Sequence, residues 1–293
     1  MGVVLVEVPF NSAGVSGGVA RMPEALRAAG LHEALPALDR VVAVDVGDLV
    51  PRRGPSGFLA EDGLVRAVLG TRDAVGEALA AGSVPVVVGG DCPVLLGPLA
   101  ALEGEGHRPG LVFVDGHEDA WPPSLSPTGE AADSELGLAL GRIPGPAGLD
   151  GVLPVVAADD VAVLGARDAA ELAAAGCPSL AGEVRLIDGD ALAAADALGA
   201  VRDAVAAAVA GTGAWWLHVD LDVLGTDARP AVDYPQPGGI GWERLAEVAA
   251  AALERPGCAG ASVAIYNPDL DGGVAAPRIA GFVARLADAL AGP

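Results

Sequence analysis

Short apolar runs too continuous to alternate, separated by alanine- and leucine-rich stretches of helical length, recur along the whole chain. The runs are Val3–Val8, Val41–Val46, Val84–Val88, Leu111–Asp115, Val161–Gly165, Val184–Ile187, Trp215–Asp222 and Gly260–Ile265. Helix-length stretches between them include Met22–Ala29, Leu64–Ala80, Ala169–Ala175, Ala193–Ala210 and Trp242–Leu253. A strand with one face in water alternates apolar and polar residues. These runs do not, so both faces must be covered, and the intervening helices are what can cover them. Eight strands joined by helical crossovers predict an α/β fold: a three-layer αβα sandwich around a mostly parallel eight-stranded sheet. Pro/Gly-rich stretches at 51–57, 122–129, 142–154 and 229–241 leave this alternation unbroken, so they read as loops within a single domain spanning 1–293.

Charge narrows the partners. Seventeen basic residues, all of them arginine, stand against 39 acidic ones, for a net charge of −22. Binding a polyanion needs a basic face, so no nucleic-acid partner is expected. No apolar stretch approaches the roughly 20 residues needed to cross a bilayer, and the start Met1-Gly-Val-Val-Leu-Val-Glu7 has no basic leader, so no membrane partner and a cytoplasmic location are expected. Three cysteines, Cys92, Cys177 and Cys258, form no CxxC pair, which fits a reducing compartment.

The chemistry gathers at strand ends. Asp115, His117 and Asp119 follow one apolar run, Asp220 and Asp222 close another, and Gly89-Gly-Asp-Cys92 follows a third. On extended chain, side chains two apart share a face, so each segment should present its polar groups together. Ligands in open α/β sheets bind outside the carboxyl ends of the strands, where these groups fall. Four carboxylates and an imidazole in one buried place would cost several kcal/mol, by order of magnitude, unless something positive sat among them. A divalent metal centre is the simplest such partner. Asp91 reads as a cap for the turn after Gly89-Gly90, and Asn267-Pro268 as a turn. His32 and His107 read as surface residues.

These segments, in this order, resemble the ureohydrolase family of arginase, agmatinase and formimidoylglutamase. Gly89-Gly-Asp-Cys92 is similar to its GGDH turn, Asp115-Gly-His-Glu-Asp119 to its DAHxD strand end, and His218-Val-Asp-Leu-Asp-Val-Leu-Gly225 to its SxDxDxxDP strand end. Ile265-Tyr-Asn-Pro268 is similar to its late E-x-NP element, Gly17-Gly-Val-Ala-Arg-Met-Pro23 to its N-terminal glycine-rich element, and Leu164-Gly-Ala-Arg-Asp168 to its central G-x-R-D. The resemblance implies two divalent metal ions, manganese first. One would be held by Cys92, Asp115, Asp119 and Asp220, the other by Asp115, His117, Asp220 and Asp222. It also implies that Asp119 orients the attacking water, and that the chain assembles as a homo-oligomer, a trimer or hexamer.

Departures from the family pattern bear on substrate and metal. Cys92 stands where arginases place a histidine; as a ligand its soft thiolate favours zinc or iron over manganese, and the alternative is a neutral buried thiol in a tight turn. Ile265 takes the place of the glutamate that pairs with the guanidinium, and Ala132 falls near the proton-shuttling histidine. Trp121 falls near the residue that holds the amino-acid carboxylate, and Gly225 replaces the third aspartate of DxDxxD. Glu130 on the covering loop is a candidate catalytic and substrate-binding carboxylate, with Trp121 and Thr128 as further substrate contacts. His218, two residues before Asp220, is a candidate hydrogen-bond donor to a ligand carboxylate, or else a strand histidine bonded for its own sake. The expectation is a metal-dependent hydrolase acting on a linear C–N bond of a small amidine, guanidino, ureido or amide compound other than arginine. A mononuclear zinc amidohydrolase and a catalytically inactive binding or oligomerisation subunit are the alternatives. A nucleotide-binding reading fails because no GxGxxG follows the first strand.

Overall fold

The computed structural model describes residues 1–292. Eight strands form one sheet: β1 (Val3–Val8), β2 (Leu38–Ala43), β3 (Val84–Gly89), β4 (Pro109–Val114), β5 (Val161–Leu164), β6 (Arg185–Ile187), β7 (Ala214–Asp220) and β8 (Cys258–Ala264). Their spatial order is β2-β1-β3-β8-β7-β4-β5-β6, and every pairing is parallel. The sheet expected to be mostly parallel is wholly so.

Alternate residues of each strand feed two separate cores. Val3, Leu5, Val86, Val88, Val112, Val114, Leu217 and Val219 pack against one helical layer, which contains Met22–Ala28, Ala197–Ala208, Trp242–Leu253 and Ala276–Ala291. Val4, Val6, Val87, Leu111, Phe113 and Trp216 pack against the other, with Glu61–Ala80, Leu96–Gly104 and Glu135–Ala139. Burial on both faces explains why the strands read as unbroken apolar runs.

Most elements end within three residues of the expected bounds, and two differ more informatively. The second strand covers Leu38–Ala43 rather than Val41–Val46. It is the sheet edge and mostly exposed, so hydrophobicity does not mark its ends. The stretch Ala193–Ala210 is helical only over Ala197–Ala208, and a separate short helix, Gly189–Ala193, precedes it, with Asp188 as its cap accepting from Ala191 N–H at 2.8 Å. His32 is not a free surface residue either. Its Nε2 lies 2.9 Å from Oε1 of buried Glu7, which Arg27 also contacts.

The connectivity places the site. The chain builds β1–β3, crosses to β4–β6, then returns to insert β7 and β8 in the gap. The four central strands, β3, β8, β7 and β4, therefore come from distant parts of the sequence, and their carboxyl ends lie side by side. Those ends lead into Cys92, Ile265, Asp220 with Asp222, and Asp115 through Asp119, respectively. Among the described residues no helix is long and apolar enough to cross a membrane.

Candidate metal centre

The polar groups converge, though not by the alternation rule. Strand β4 stops at Val114, and Asp115–Asp119 is loop; only Asp220 of the second pair is on a strand, with Asp222 in the 3-10 turn Leu221–Val223. The convergence comes from a local device used twice. Asp115 Oδ1 accepts the His117 N–H at 2.7 Å, and Asp220 Oδ1 accepts the Asp222 N–H at 2.8 Å. Each is an aspartate bonding backbone two residues on, which pins one oxygen and leaves the other to point away from the turn. Asp119 closes the loop in the left-handed region, with φ 43°. Ligand atoms of Asp115, His117 and Asp119 lie within 4.8 Å of one another.

Close backbone approach makes this packing possible. A Cβ on Gly90 would sit 2.0 Å from Phe10 O, so the turn before Cys92 admits only glycine there. Asp91 caps that turn as expected, accepting from Cys92 N–H at 3.2 Å and from Ser12 N–H at 2.8 Å. The Leu164-Gly-Ala-Arg-Asp168 segment buttresses the cluster from β5. Arg167 Nη2 donates to Asp222 O at 2.6 Å, and Asp168 Oδ2 accepts the Glu118 N–H at 3.2 Å.

Charge in the cluster is unbalanced. His117 Nδ1 lies 2.8 Å from Asp222 Oδ2 and 3.7 Å from Asp115 Oδ1. Burial opposes the imidazolium, but Asp222 and Asp115 outweigh it and hold the His117 pKa well above its usual value. The same contact keeps Asp222 below the ordinary carboxylate range despite burial. Among the described residues no other cation pairs with Asp115, Asp119 or Asp220. Burial, reinforced by Asp222, pushes Asp115 up to about 7. Burial and neighbouring acids hold Asp119 and Asp220 well above the carboxylate range. Cys92 Sγ lies 2.6 Å from Asp220 Oδ2, and burial with Asp220 beside it pushes the thiol far up. Asp115 Oδ2 is buried with no partner. A cluster whose acids cannot ionise together, with an orphaned carboxylate oxygen at its centre, is what divalent cations would complete.

Beneath it runs a polar column that the sequence only hinted at. Trp216, His218 and Asp220 share one face of β7, and Ser262 is the register partner of His218 on β8. Trp216 Nε1 donates to Ser262 Oγ at 2.9 Å, and Ser262 Oγ lies 2.7 Å from His218 Nδ1. His218 stacks on Phe113, ring centroids 5.4 Å apart, and burial pushes its pKa down to about 3, so the ring is neutral. With Ser262 accepting from the indole, its own proton goes to Nδ1, and the imidazole proton sits on Nε2, which has no partner. A ring nitrogen of His218 lies within 4.8 Å of ligand atoms of both Asp115 and Asp220. Ser262→Ala would strand the Trp216 N–H and the His218 Nδ1 together. It is expected to cost about 2–4 kcal/mol in urea unfolding; a loss under about 0.5 kcal/mol would show that the column does not need its hydroxyl.

Above the cluster opens a cavity of about 330 Å³. Cys92, His117, Asp119 and Asp222 reach it from below, with Ile265 and Ala132 on its wall. Thr128 and Glu130 line it as the sequence suggested, and so does Trp121, which is also an anchor packed with Leu172 and Cys177. Sequence reasoning missed the opposite wall, Asp233, Tyr234 and Gln236, and Glu171 with Asp133 at the rim. Tyr234 Oη lies 3.4 Å from Glu130 Oε1. It missed Glu135 too, a fully buried acid next to Asp119 and Asp115. The available signal was an acid set in the apolar stretch Glu135-Leu-Gly-Leu-Ala-Leu140.

The arginase family model matches residues 1–288. The chain belongs to the arginase family. Its relatives in that family include Brevibacillus brevis arginase, 28% identical over 256 residues that span 81% of each chain. Rabbit (Oryctolagus cuniculus) Arginase-1 is 30% identical over 173 residues, 56% of this chain and 53% of that one, so that match spans about half the length of the relative. The arginase structure from Bacillus caldovelox superposes with a TM-score of 0.82 at 21% identity, covering 100% of this chain and 98% of that one. The arginase family comprises hydrolases of C–N bonds other than peptide bonds and depends on a binuclear metal centre, and this member's Asp/His clusters could bind metal.

Proposed function

We propose that this arginase-family member hydrolyses a C–N bond of a small cationic guanidino or amidine compound other than arginine. The observation that carries the substrate reading is the lining of the cavity. Glu130, Asp133, Glu171, Asp222 and Asp233 contribute carboxylates, Trp121 and Tyr234 contribute aromatic faces, and no arginine lines it. An amino-acid carboxylate entering here would meet an excess of like charge, with His117, already held by Asp222, the one cationic side chain in the lining. A cation would be drawn in and could lie against the aromatic faces. Ile265 on the wall supplies no carboxylate to a guanidinium, so Glu130 is the acid that takes that part.

In this reading one ion would be held by Cys92, Asp115, Asp119 and Asp220, and the other by Asp115, His117, Asp220 and Asp222. When bound, divalent cations supply Lewis-acid polarisation and make water acidic enough to attack near neutral pH. The chain does the rest. Asp119, at the cavity floor, orients the attacking water and accepts its proton. Trp121 and Tyr234 narrow the cavity around the planar group. Burial, with Asp91 and Asp133 nearby, pushes Glu130 up to about 7, and Tyr234 bonds it, so it can hold or release a proton at the mouth.

Two measurements test this. Mass-spectrometric metal analysis after loading with Mn²⁺, Zn²⁺ or Fe²⁺ is expected to find two ions per chain. The loaded protein should then hydrolyse guanidino or amidine compounds that carry a second cationic group, in preference to those that carry a carboxylate. Arginine as the best substrate would overturn the specificity. No retained metal under any loading would overturn catalysis and leave a non-catalytic subunit as the reading.

A further inference from the structure

Glu135 is an acid that neither the family's ligand pattern nor the cavity accounts for. It opens the helix Glu135–Ala139, in a stretch otherwise apolar, and its exposure is 0%. Among the described residues it is the only carboxylate with both oxygens buried and neither accepting from an N–H or hydroxyl donor; the group it faces is the carboxyl of Asp119. The protein therefore desolvates a carboxyl group completely and sets against it only a second acid, Asp119.

Its position is fixed. Gly137 N–H donates to Asp119 O at 2.9 Å, tying this helix to the loop that carries Asp119. A Cβ on Gly137 would come within 3.0 Å of Ala120 Cα, so the two segments are in backbone contact. From there the Glu135 carboxyl is close enough to perturb Asp119, Asp115 and Cys92. It is absent from the cavity lining, so it lies behind the cluster and out of a substrate's reach.

Resting on the metal-centre reading above, we propose that Glu135 is itself a protein ligand of that centre, adding a carboxylate on the side of Cys92 and Asp119. The thiol of Cys92 is a soft donor, and here it is engaged with Asp220. A hard divalent ion on that side lacks an oxygen donor that Glu135 can supply. The two orphaned oxygens then acquire a partner when the centre fills, which explains why the fold tolerates them.

Glu135→Gln is the decisive variant, because the amide keeps the shape and the hydrogen-bonding capacity of a protonated acid but cannot carry its charge to a metal. Chelator-treated protein is titrated with Mn²⁺ alone by calorimetry, and its melting temperature is followed with and without the ion. The expected result is one Mn²⁺ per chain instead of two, or a weaker site whose Kd rises about 100-fold or more. The metal-free melting temperature should stay the same or rise, since a buried acid has been removed, while the Mn²⁺-induced increase shrinks. Equal stoichiometry and Kd values within about threefold of the unaltered protein would overturn the proposal while leaving the metal centre intact. If the unaltered protein takes up no Mn²⁺, the titration is repeated with Zn²⁺, and uptake of neither ion overturns this inference and the proposed function together. Should Glu135→Gln not fold, Glu135→Asp, one methylene shorter, is titrated in its place, with the same weakening expected and an unchanged Kd overturning it.

Discussion

Asp220→Asn is expected to leave the protein folded and its metal centre empty. Asp220 ends β7, is fully buried, and would serve both ions, so the substitution removes a ligand from each position at once. Its Oδ1 accepts the Asp222 N–H at 2.8 Å, and an asparagine carbonyl keeps that bond, so the turn that presents Asp222 survives. What is lost is charge. In the metal-free protein that loss relieves the cluster, because burial together with Asp222 and Asp115 already opposes ionisation of Asp220. Urea unfolding without metal should therefore match or exceed the unaltered protein. Losing Lewis-acid polarisation forfeits several kcal/mol of transition-state stabilisation, so hydrolysis should fall by about three orders of magnitude or more. Metal analysis and steady-state rates on the same preparation check both parts. Two retained ions with an undiminished rate would remove Asp220, and with it the arrangement proposed here, from the chemistry.

How much of this was legible in the sequence depends on which physical rule each residue obeys. The central strands were legible because burial on both faces writes itself as an unbroken apolar run, as in Val84–Gly89 and Ala214–Asp220. Edge strand β2 was displaced in the reading because exposure removes that signature. The candidate metal-site residues do gather, yet partly by another route than the one read from the sequence. Asp115, His117 and Asp119 meet because an Asx turn and a left-handed residue fold the loop back, not because they alternate along a strand. Asp233, Tyr234 and Gln236 were out of reach of local reasoning: they come from a loop between β7 and β8 that only the tertiary fold brings over the cavity. Glu135 was hidden by its own helix, where a lone acid reads as an exposed position until the packing shows that the helix has no exposed side there. His218 was left open between two roles, and Ser262 on the neighbouring strand is the partner that gives its ring a defined orientation.

Cys92→His should change which metal the protein prefers. Cys92 starts the 3-10 turn Cys92–Leu95 and is 2% exposed, with its Sγ 2.6 Å from Asp220 Oδ2. To bind an ion the thiol must lose its proton, and burial, with Asp220 and Glu135 beside it, makes that costly. Zinc and ferrous iron recover the cost through a strong bond to thiolate; manganese, a harder ion, recovers less of it. A histidine has no such proton to lose, brings no further negative charge into a cluster with too much already, and suits manganese better. Cys92 lines the cavity, so the larger ring has room to extend into it. Mn²⁺ affinity is expected to rise at least about tenfold, equivalent to ~1.4 kcal/mol, while the ratio of zinc to manganese affinity falls by more than that. Competitive titration with the two ions measures the ratio directly. An unchanged ratio would mean that the Cys92 sulfur binds no metal and serves only as the hydrogen-bond partner of Asp220, and the ion on that side would then depend on Asp115, Asp119 and Asp220, with Glu135 as the one remaining donor.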